Sequence, residues 1–517
     1  MQIILRVLPM INMTGITNLR QVVYTAADTF GDEIYIKEYS KKTFLDTSFK
    51  AFRENCDSLA VWIQEKFSSK VHAAVIGTTS SQYLTAWFGI QCSGNVSVPI
   101  DTSNSIDNII SEINRSDSEI VFFEDKHMKN LDRFKNECPA VKYFVNINKK
   151  HDDILFLADI LSDYSGKTPE IKEVSIDDTA AILFTSGTTG ISKGVMLSHG
   201  NLIDNVTCFD DGDYHGKKLL SVLPVHHVYC FTCDILCGMC HGATVCVNDS
   251  LMHLARNLNV FQPNLSTFVP MIAATILNKM QMSAKDGVDK KAIAKAVFGE
   301  NFEVIFSGGA YLSPEIISGY KEFGMDIAQG YGMTECSPRI CTGIRHSPKP
   351  DSVGKIVNGC EVKIVDGEIW VKSKSVMKGY YKNPEETAKS LTPDGWLMTG
   401  DLGHKDDDGF LYITGRKKNL IILSNGENVS PEELENCFAS FAPIKEIVVY
   451  SENETIKAQI YPDPDYVSDD VQAEINAKVE EVNNTFPQAK RIVNVIFRDK
   501  EFVKTASKKI IRAKINE

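Results

Sequence analysis

The chain has 517 residues, of which 43% are hydrophobic and 24% charged. This composition is ordinary for a globular protein of two to four structural units, and it excludes disordered, collagen-like and coiled-coil classes. The formal net charge of −12 lacks the broad positive surface that duplex nucleic acid requires, so we expect no nucleic-acid partner.

The first thirteen residues, MQIILRVLPMINM, are mildly apolar, but Arg6 and Pro9 interrupt them and no small-residue cleavage pattern follows. This disfavours a secretory signal, and no apolar run reaches the ~20 residues of a transmembrane segment. The thirteen cysteines are scattered and odd in number, which is typical of reduced thiols. We therefore expect a cytoplasmic protein without a transmembrane segment.

Between residues 50 and 150, helical patterns alternate with short apolar runs, which predicts an α/β sheet. A helix is predicted over about 49–67, with strands at 71–77, 97–100, 119–124 and 142–147. The same rhythm continues with strands at 180–186, 243–247, 266–270 and 303–309. No internal repeat is visible.

The pattern changes near Asn358, where short strands are joined by an Asp366-Gly367 turn typical of a hairpin. After Gly415 an α+β pattern returns, with helices at 431–441 and 468–486, a strand at 446–450 and a basic tail. We predict a large N-terminal α/β domain of mixed sheets (1–414), including a β-rich part at about 355–414. A small, mobile α+β C-terminal domain (415–517) would follow.

The stretch CFTCDILCGMCH, residues 230–241, has a cysteine spacing that invites a zinc or iron–sulfur site. On an α-helix, however, Cys230, Cys233, Cys237 and Cys240 fall within an arc of about 80° and extend over roughly 15 Å. Four sulfurs along one stripe cannot surround a tetrahedral ion. We interpret them as the buried face of a core helix.

The strongest chemical signal is ILFTSGTTGISKGVMLSHGN, residues 182–201, in which an apolar strand runs into a glycine- and hydroxyl-rich loop. Gly187, Gly190 and Gly194 allow backbone conformations that expose amides, and the hydroxyls add donors. Lys193 adds a compact positive charge. Together these groups suit a polyphosphate, although the Walker spacing is absent.

The segment TSGTTGISKG resembles the phosphate loop of the adenylate-forming enzymes, which include acyl- and aryl-CoA synthetases, peptide synthetase adenylation domains and luciferases. Five further motifs follow in the family's order, up to residue 512. The resemblance implies that Lys193 is catalytic and that the loop binds ATP through Thr185, Ser186, Gly187, Thr188, Thr189 and Gly190.

A second motif is QGYGMTE (329–335), preceded by SGGA (307–310). The resemblance implies that Tyr331 packs on adenine, that Thr334 contacts phosphate and that Glu335 ligates Mg²⁺. The carboxylate is a suitable hard oxygen ligand. The nucleotide and acyl pockets would also be lined by Gly309, Ala310, Gln329, Gly330, Gly332 and Met333.

Further motifs are GWLMTGDLG (395–403), GRKKNLIILSNGENVSPEELE (415–435) and the tail KTASKKIIR (504–512). By resemblance, Asp401 and Arg416 hold the ribose, Lys418 is the interdomain hinge and Gly426 approaches the thiol acceptor. The tail aligns Lys509 with the adenylation lysine, although Lys508 stands where glycine is common, which leaves these two adjacent lysines as alternatives.

The segment LPVHHVYCF (223–231) matches the family's Leu-Pro-x-x-His pattern and places His227, rather than His226, beside the acyl carboxylate. Either histidine could instead be a core residue. Amino-acid adenylation domains carry an aspartate close behind an aromatic residue in this region to hold the substrate amine, whereas Asp234 lies seven residues beyond His227 and is interpreted as a helix residue. The apolar surroundings favour an alkyl chain.

The resemblance, strongest to long-chain fatty acyl-CoA synthetases, implies two half-reactions. ATP with Mg²⁺ would activate a medium- or long-chain fatty acid to acyl-AMP, releasing pyrophosphate, and the thiol of CoA would then displace AMP. Three alternatives remain open: an acyl carrier protein ligase, an amino-acid adenylation enzyme loading carrier-protein phosphopantetheine, and an inactive nucleotide- or acyl-binding homologue.

Overall fold

The computed structural model describes residues 10–185, 192–208, 214–284, 287–343, 347–423, 428–452, 455–504 and 510–517. Its strands are β1 (Ile34–Ser40), β2 (Thr43–Ser48), β3 (His72–Ile76), β4 (Val96–Ile100), β5 (Ser118–Phe123), β6 (Tyr143–Asn146), β7 (Leu155–Phe156), β8 (Thr179–Thr185), β9 (Lys193–Ser198), β10 (Lys218–Ser221), β11 (Thr244–Val247), β12 (Leu265–Phe268), β13 (Val304–Ser307), β14 (Asp326–Gly332), β15 (Arg339–Thr342), β16 (Lys355–Ile356), β17 (Glu361–Val365), β18 (Glu368–Lys372), β19 (Gly379–Tyr380), β20 (Leu397–Lys405), β21 (Leu411–Arg416), β22 (Ile421–Ile422), β23 (Asn428–Val429), β24 (Ile444–Glu452), β25 (Thr455–Pro462) and β26 (Asn494–Phe497).

The α-helices alternate with these strands through most of the chain. They are α1 (Leu19–Phe30), α2 (Phe49–Lys66), α3 (Ser81–Cys92), α4 (Ile106–Arg115), α5 (Leu131–Glu137), α6 (Leu157–Asp163), α7 (His199–Thr207), α8 (Val228–Cys230), α9 (Cys237–His241), α10 (Leu254–Phe261), α11 (Pro270–Ser283), α12 (Lys290–Phe298), α13 (Pro314–Glu322), α14 (Pro384–Ser390), α15 (Pro431–Asn436) and α16 (Val471–Asn483). A π-helical segment, Phe231–Leu236, joins α8 to α9.

An eight-stranded sheet has the order β19-β9-β8-β4-β3-β5-β6-β7. The strands from β8 to β7 are parallel, whereas β9 and β19 are added antiparallel. Strand β4 is buried along its whole length and reads as a continuous run, VSVPI. Such runs are typical of parallel strands covered on both faces.

A nine-stranded sheet has the order β16-β15-β14-β13-β12-β10-β11-β1-β2, with parallel strands from β14 to β1 and antiparallel strands at both edges. One hydrophobic core joins side chains of both large sheets and their helices. Within it Trp87 of α3 stacks on Phe231, with ring centroids 4.0 Å apart. The predicted α/β class is confirmed.

The hairpin of β17 and β18 turns at Asp366 and Gly367, both with positive φ, as the Asp-Gly pair predicts. These strands form a four-stranded sheet with β20 and β21. Two short strands of the region 355–414 lie elsewhere, because β16 pairs with β15 and β19 pairs with β9 of the large sheets. The β-rich part is therefore tied into both large sheets.

Toward the C-terminus, β24, β25 and β26 form a three-stranded sheet against α15 and α16, with a core of its own. The predicted helix over 431–441 is shorter than expected, since α15 ends at Asn436 and turns follow. Among the described residues, we find no helix with the length and apolar character needed to cross a bilayer.

Candidate functional site

The candidate site lies where strands of the two large sheets end. In open α/β sheets, ligands bind beyond the carboxyl ends of parallel strands. Asp101 follows β4 of the eight-stranded sheet, and His226 comes five residues after β10 of the nine-stranded sheet. The His226 Nε2 atom lies 3.5 Å from a carboxylate oxygen of Asp101, so the two strand ends meet.

Thr185 and Lys193 stand at facing ends of the antiparallel pair β8 and β9. The Thr185 hydroxyl donates to the carbonyl of Lys193 at 3.5 Å. The predicted phosphate-loop residues Ser186, Gly187, Thr188, Thr189 and Gly190 lie outside the described residues. The β8–β9 ladder therefore fixes Thr185 and Lys193 on either side of the predicted phosphate loop.

The ammonium of Lys193 forms an ion pair with Glu386 of α14 and lies 5.0 Å from the ring centroid of Tyr380. Hydrogen bonds from Lys193 and Lys389 lower the pKa of Glu386 to about 2, so this carboxylate stays charged at neutral pH. The cation is therefore held over an aromatic face by a fixed counter-charge.

Glu335 lies in a one-turn 3₁₀ segment, Thr334–Cys336, directly after Met333 at the end of β14. Its side chain is largely buried, and its Oε1 atom accepts a hydrogen bond from the Tyr380 hydroxyl at 2.8 Å. The backbone N–H of Met377 donates to the Glu335 carbonyl at 2.8 Å. Both the backbone and the carboxylate are therefore anchored.

A third cluster joins Tyr331, Asp401 and Arg416. Asp401 and Arg416 are directly opposite each other in the β20–β21 ladder. The Asp401 carboxylate is almost fully buried. It accepts a hydrogen bond from the Tyr331 hydroxyl at 2.6 Å and forms an ion pair with Arg416, whose Nε lies 2.7 Å from an Asp401 oxygen. The structure thus brings Tyr331 into contact with Asp401, which lies 70 positions further along the chain and pairs with Arg416.

The glycines around Tyr331 are required by close backbone approaches. A Cβ at Gly332 would overlap the carbonyl of Pro338, and one at Gly330 would lie 3.2 Å from the carbonyl of Cys341. Gly309 has a φ of +82° and is exposed together with Ala310, after the end of β13. At these positions the surface of the site is therefore formed by backbone atoms rather than by side chains.

The side-chain amide of Gln329, on β14, donates to the carbonyls of Pro350 and Ser352. Gln329 is buried and Thr334 half-buried. The Gln329 contacts fasten β14 to the chain that leads into β16, which is a structural function distinct from the nucleotide-binding role implied by resemblance.

The two adjacent histidines differ in environment. His226 is nearly buried, whereas His227 is exposed and precedes α8, and their ring centroids are 4.4 Å apart. Burial and the neighbouring His227 lower the pKa of His226 to about 3, so its imidazole is neutral at pH 7. His226 is the packed residue of the pair, and His227 is the one that faces outward.

The four cysteines of residues 230–241 are buried. The helix that carries them is α-helical only at its ends, because Phe231–Leu236 is a π-helix. The uniform α-helix assumed for the sequence is therefore wrong in its central turns. In the part of the chain that the structure describes, no group of three or more His, Cys, Asp or Glu residues could hold a metal ion.

Asp234, within the π-helix, is fully buried and accepts from the Ser221 hydroxyl at 2.9 Å and from Thr267 at 2.7 Å. Burial raises the pKa of Asp234 to about 7. The side chain therefore joins β10 and β12 through hydroxyls in the core, where it is shielded from solvent.

Gly426 and Lys509 lie outside the described residues. Lys418 is exposed, in a 3₁₀ turn that directly follows β21. Two residues that contact predicted site groups, Tyr380 and Glu386, were missed. The only sequence signal for them is the segment GYYKNPEET (379–387), which we assigned to β-rich structure without a chemical role.

These clusters could hold a nucleoside polyphosphate. Lys193 offers a positive charge to phosphate, and the carboxylate of Asp401 can accept hydrogen bonds from a sugar diol. Glu335 supplies one hard oxygen ligand, so a magnesium ion would take most of its remaining ligands from phosphate and water, as Mg²⁺ commonly does.

Comparisons with known proteins find two family profiles that match this chain. The profile of the family described as AMP-binding enzyme matches residues 24–381, and that of the AMP-binding enzyme C-terminal domain matches residues 418–517. The second match begins at Lys418.

Among curated relatives, 4-coumarate–CoA ligase 5 of Oryza sativa is 34% identical over 54% of this chain and 55% of its own length. The aligned part thus spans about half of that relative. The long-chain-fatty-acid–CoA ligase FadD15 of Mycobacterium bovis is 28% identical over 76% of this chain and 73% of its own length.

Among solved structures, the anthranilate CoA ligase AuaEII in complex with anthranoyl-AMP superposes with a TM-score of 0.84. That alignment covers 98% of this chain and 97% of the other at 18% identity, which supports the likeness of fold.

Proposed function

This chain belongs to the AMP-binding enzyme family, and from that premise we propose that it is an AMP-forming acid–CoA ligase. A carboxylate would attack the α-phosphorus of ATP, giving acyl-AMP and pyrophosphate. The thiol of CoA would then attack the acyl carbonyl and expel AMP. The observation that carries the proposal is the buried Asp401 carboxylate, which accepts from the Tyr331 hydroxyl and pairs with Arg416 at the position that the resemblance assigns to the ribose.

In the first half-reaction, positioning and neutralisation of charge should supply most of the acceleration, as in phosphoryl transfer generally. We assign Lys193 and the 185–190 loop to the phosphates. Glu335 would hold Mg²⁺, which neutralises phosphate charge when bound. Lys509 would act on the same charge from the C-terminal region, and Lys418 would be the hinge that lets this region approach and withdraw.

The acid would lie between His227 and the backbone around Gly309 and Ala310. His227 is exposed beside the strand ends, so an imidazole there could orient the substrate carboxylate. Gly426 would line the approach of the thiol. CoA is the acceptor we propose, with the phosphopantetheine of an acyl carrier protein as the chemically equivalent alternative.

A medium- or long-chain fatty acid is the substrate we propose, since the segment around His227 is rich in apolar and aromatic residues. The similarity to FadD15 supports it. An aromatic acid is a second candidate, because 4-coumarate–CoA ligases are among the relatives.

The test is ATP–pyrophosphate exchange with a panel of fatty acids from C6 to C18, hydroxycinnamic acids, benzoic acids and amino acids. We expect exchange with fatty acids, followed by transfer of the labelled acyl group to CoA. Exchange with hydroxycinnamic acids alone would select the second candidate. Absence of exchange with every acid would refute the ligase proposal, and transfer only to a holo carrier protein would refute CoA as acceptor.

A further inference from the structure

Tyr380 contacts two groups that the proposed function places at the triphosphate. Its ring face lies 5.0 Å from the ammonium of Lys193, and its hydroxyl donates to Glu335 at 2.8 Å. Lys193 belongs to the eight-stranded sheet, and Glu335 follows β14 of the nine-stranded sheet. One rigid ring therefore links a cation from one sheet to a carboxylate from the other.

The ring is itself fixed from several directions. Tyr380 is buried, and its backbone pairs with Val195 in the β9–β19 ladder. Its N–H donates to the hydroxyl of Thr387 at 2.9 Å. Gly379 has a φ of +135°, and a Cβ there would lie 2.7 Å from Thr387 Cγ2, so the turn that delivers Tyr380 needs glycine.

Ion pairs restrain the Lys193 ammonium that lies over the Tyr380 ring. Glu386, in the first turn of α14, pairs with Lys193 and is also bonded by Lys389 at 2.7 Å. A lysine side chain is long and flexible, and a fixed counter-charge restricts where its ammonium can lie.

We propose that Tyr380 is a positioning residue that sets the distance between the Lys193 ammonium and the Glu335 carboxylate. In the same proposal, Glu386 holds the Lys193 ammonium in one position until a triphosphate competes for it. The inference rests on the proposed function for the identity of the ligand. It assigns two different roles. The Tyr380 hydroxyl orients the proposed metal-binding carboxylate of Glu335, whereas Glu386 acts on the proposed phosphate-binding ammonium of Lys193.

The test measures binding by calorimetry rather than turnover, using Mg-ATP, ATP in EDTA and AMP. For Tyr380→Phe, which keeps the ring, we expect the Kd for Mg-ATP to rise about tenfold, the loss typical of a hydrogen bond to a charged group. The Kd values for ATP in EDTA and for AMP should change less than twofold. For Glu386→Gln, we expect a several-fold rise for both forms of ATP and no change for AMP.

Two neighbouring residues provide matched controls. The Tyr381 hydroxyl also donates to a carboxylate, Asp117, at 2.6 Å, and Glu385 precedes Glu386 on α14. Tyr381→Phe and Glu385→Gln should leave all three Kd values unchanged.

The inference is overturned if Tyr380→Phe binds Mg-ATP as the wild type does, or if it weakens AMP and Mg-ATP equally, which would indicate a merely structural role. A wild type that binds Mg-ATP but exchanges pyrophosphate with no acid would refute the ligase proposal and leave this inference to be decided by the binding data. A wild type that binds no nucleotide would refute both.

Discussion

Asp234 makes the stability of this protein depend on pH, with a sign that the structure fixes. Its carboxyl group is fully buried between Ser221 and Thr267, and burial raises its pKa to about 7. In the unfolded chain an aspartate has a pKa of ~3.9. Between these values the native state binds a proton that the unfolded state lacks, so stability falls as pH rises from about 4 to 7.

The Asp234→Asn variant removes this titration while the neighbouring hydroxyls can still pair with the amide. A shift of about 3 pKa units corresponds to roughly 4 kcal/mol at most. With an unfolding entropy of about 2.1 cal/mol/K per residue, a cooperative unit of about 400 residues would gain about 5 °C in Tm. The Tm of the variant relative to wild type should therefore rise by up to about 5 °C between pH 4 and 7, and then remain level.

Thermal unfolding followed by tryptophan fluorescence from pH 4.5 to 8.5 measures this difference, since Trp87 stacks on Phe231 near the mutated position. Asp204→Asn is the matched control, because the Asp204 carboxylate also accepts from two serine hydroxyls but is not fully buried. Its Tm difference from wild type should vary much less with pH. A constant Tm difference for Asp234→Asn across the whole range would refute the assignment of a raised pKa.

Two further predictions concern the nucleotide. Asp401→Asn removes the charge that Tyr331 and Arg416 contact, so the Kd for AMP should rise about 10- to 100-fold in calorimetry. Asp406→Asn, in the turn of the same hairpin, is the control. Unchanged AMP affinity in Asp401→Asn would contradict the ribose assignment. Lys509→Ala should nearly abolish acyl-AMP formation, measured by pyrophosphate exchange, while thioester formation from preformed acyl-AMP continues; equal loss of both half-reactions would count against two separate conformational states.

The sequence predicts β3, β4, β5, β6 and β8 of the eight-stranded sheet because these strands are short apolar runs bounded by polar residues, but it predicts only β11, β12 and β13 of the nine-stranded sheet. The residues of β3, β4, β5 and β8 fall within one position of the predicted runs. Local pattern did not predict the π-helix at Phe231–Leu236, in which Asp234 accepts hydrogen bonds from hydroxyls of β10 and β12, contacts that are distant in sequence.

The residues of the candidate site also differ in whether the sequence could reveal them. The resemblance to the adenylate-forming enzymes pointed to Lys193, Glu335, Asp401 and Arg416, because each lies in a motif that the family shares. These motifs did not reveal Tyr380, whose contacts lie 187 positions away at Lys193 and 45 positions away at Glu335. Such a role follows from the pairing of β9 with β19, a long-range register that neither strand encodes alone.

That register also explains how one short segment, residues 377–381, makes hydrogen bonds to residues associated with both large sheets. Met377 donates to the carbonyl of Glu335, Lys378 to that of Met196 and Tyr381 to that of Gly194. Three backbone hydrogen bonds therefore join this segment both to β9 and to the turn that carries Glu335. Rigid elements hold reacting groups more accurately than free loops, so the β8–β9 ladder is suited to keep Thr185 and Lys193 in place.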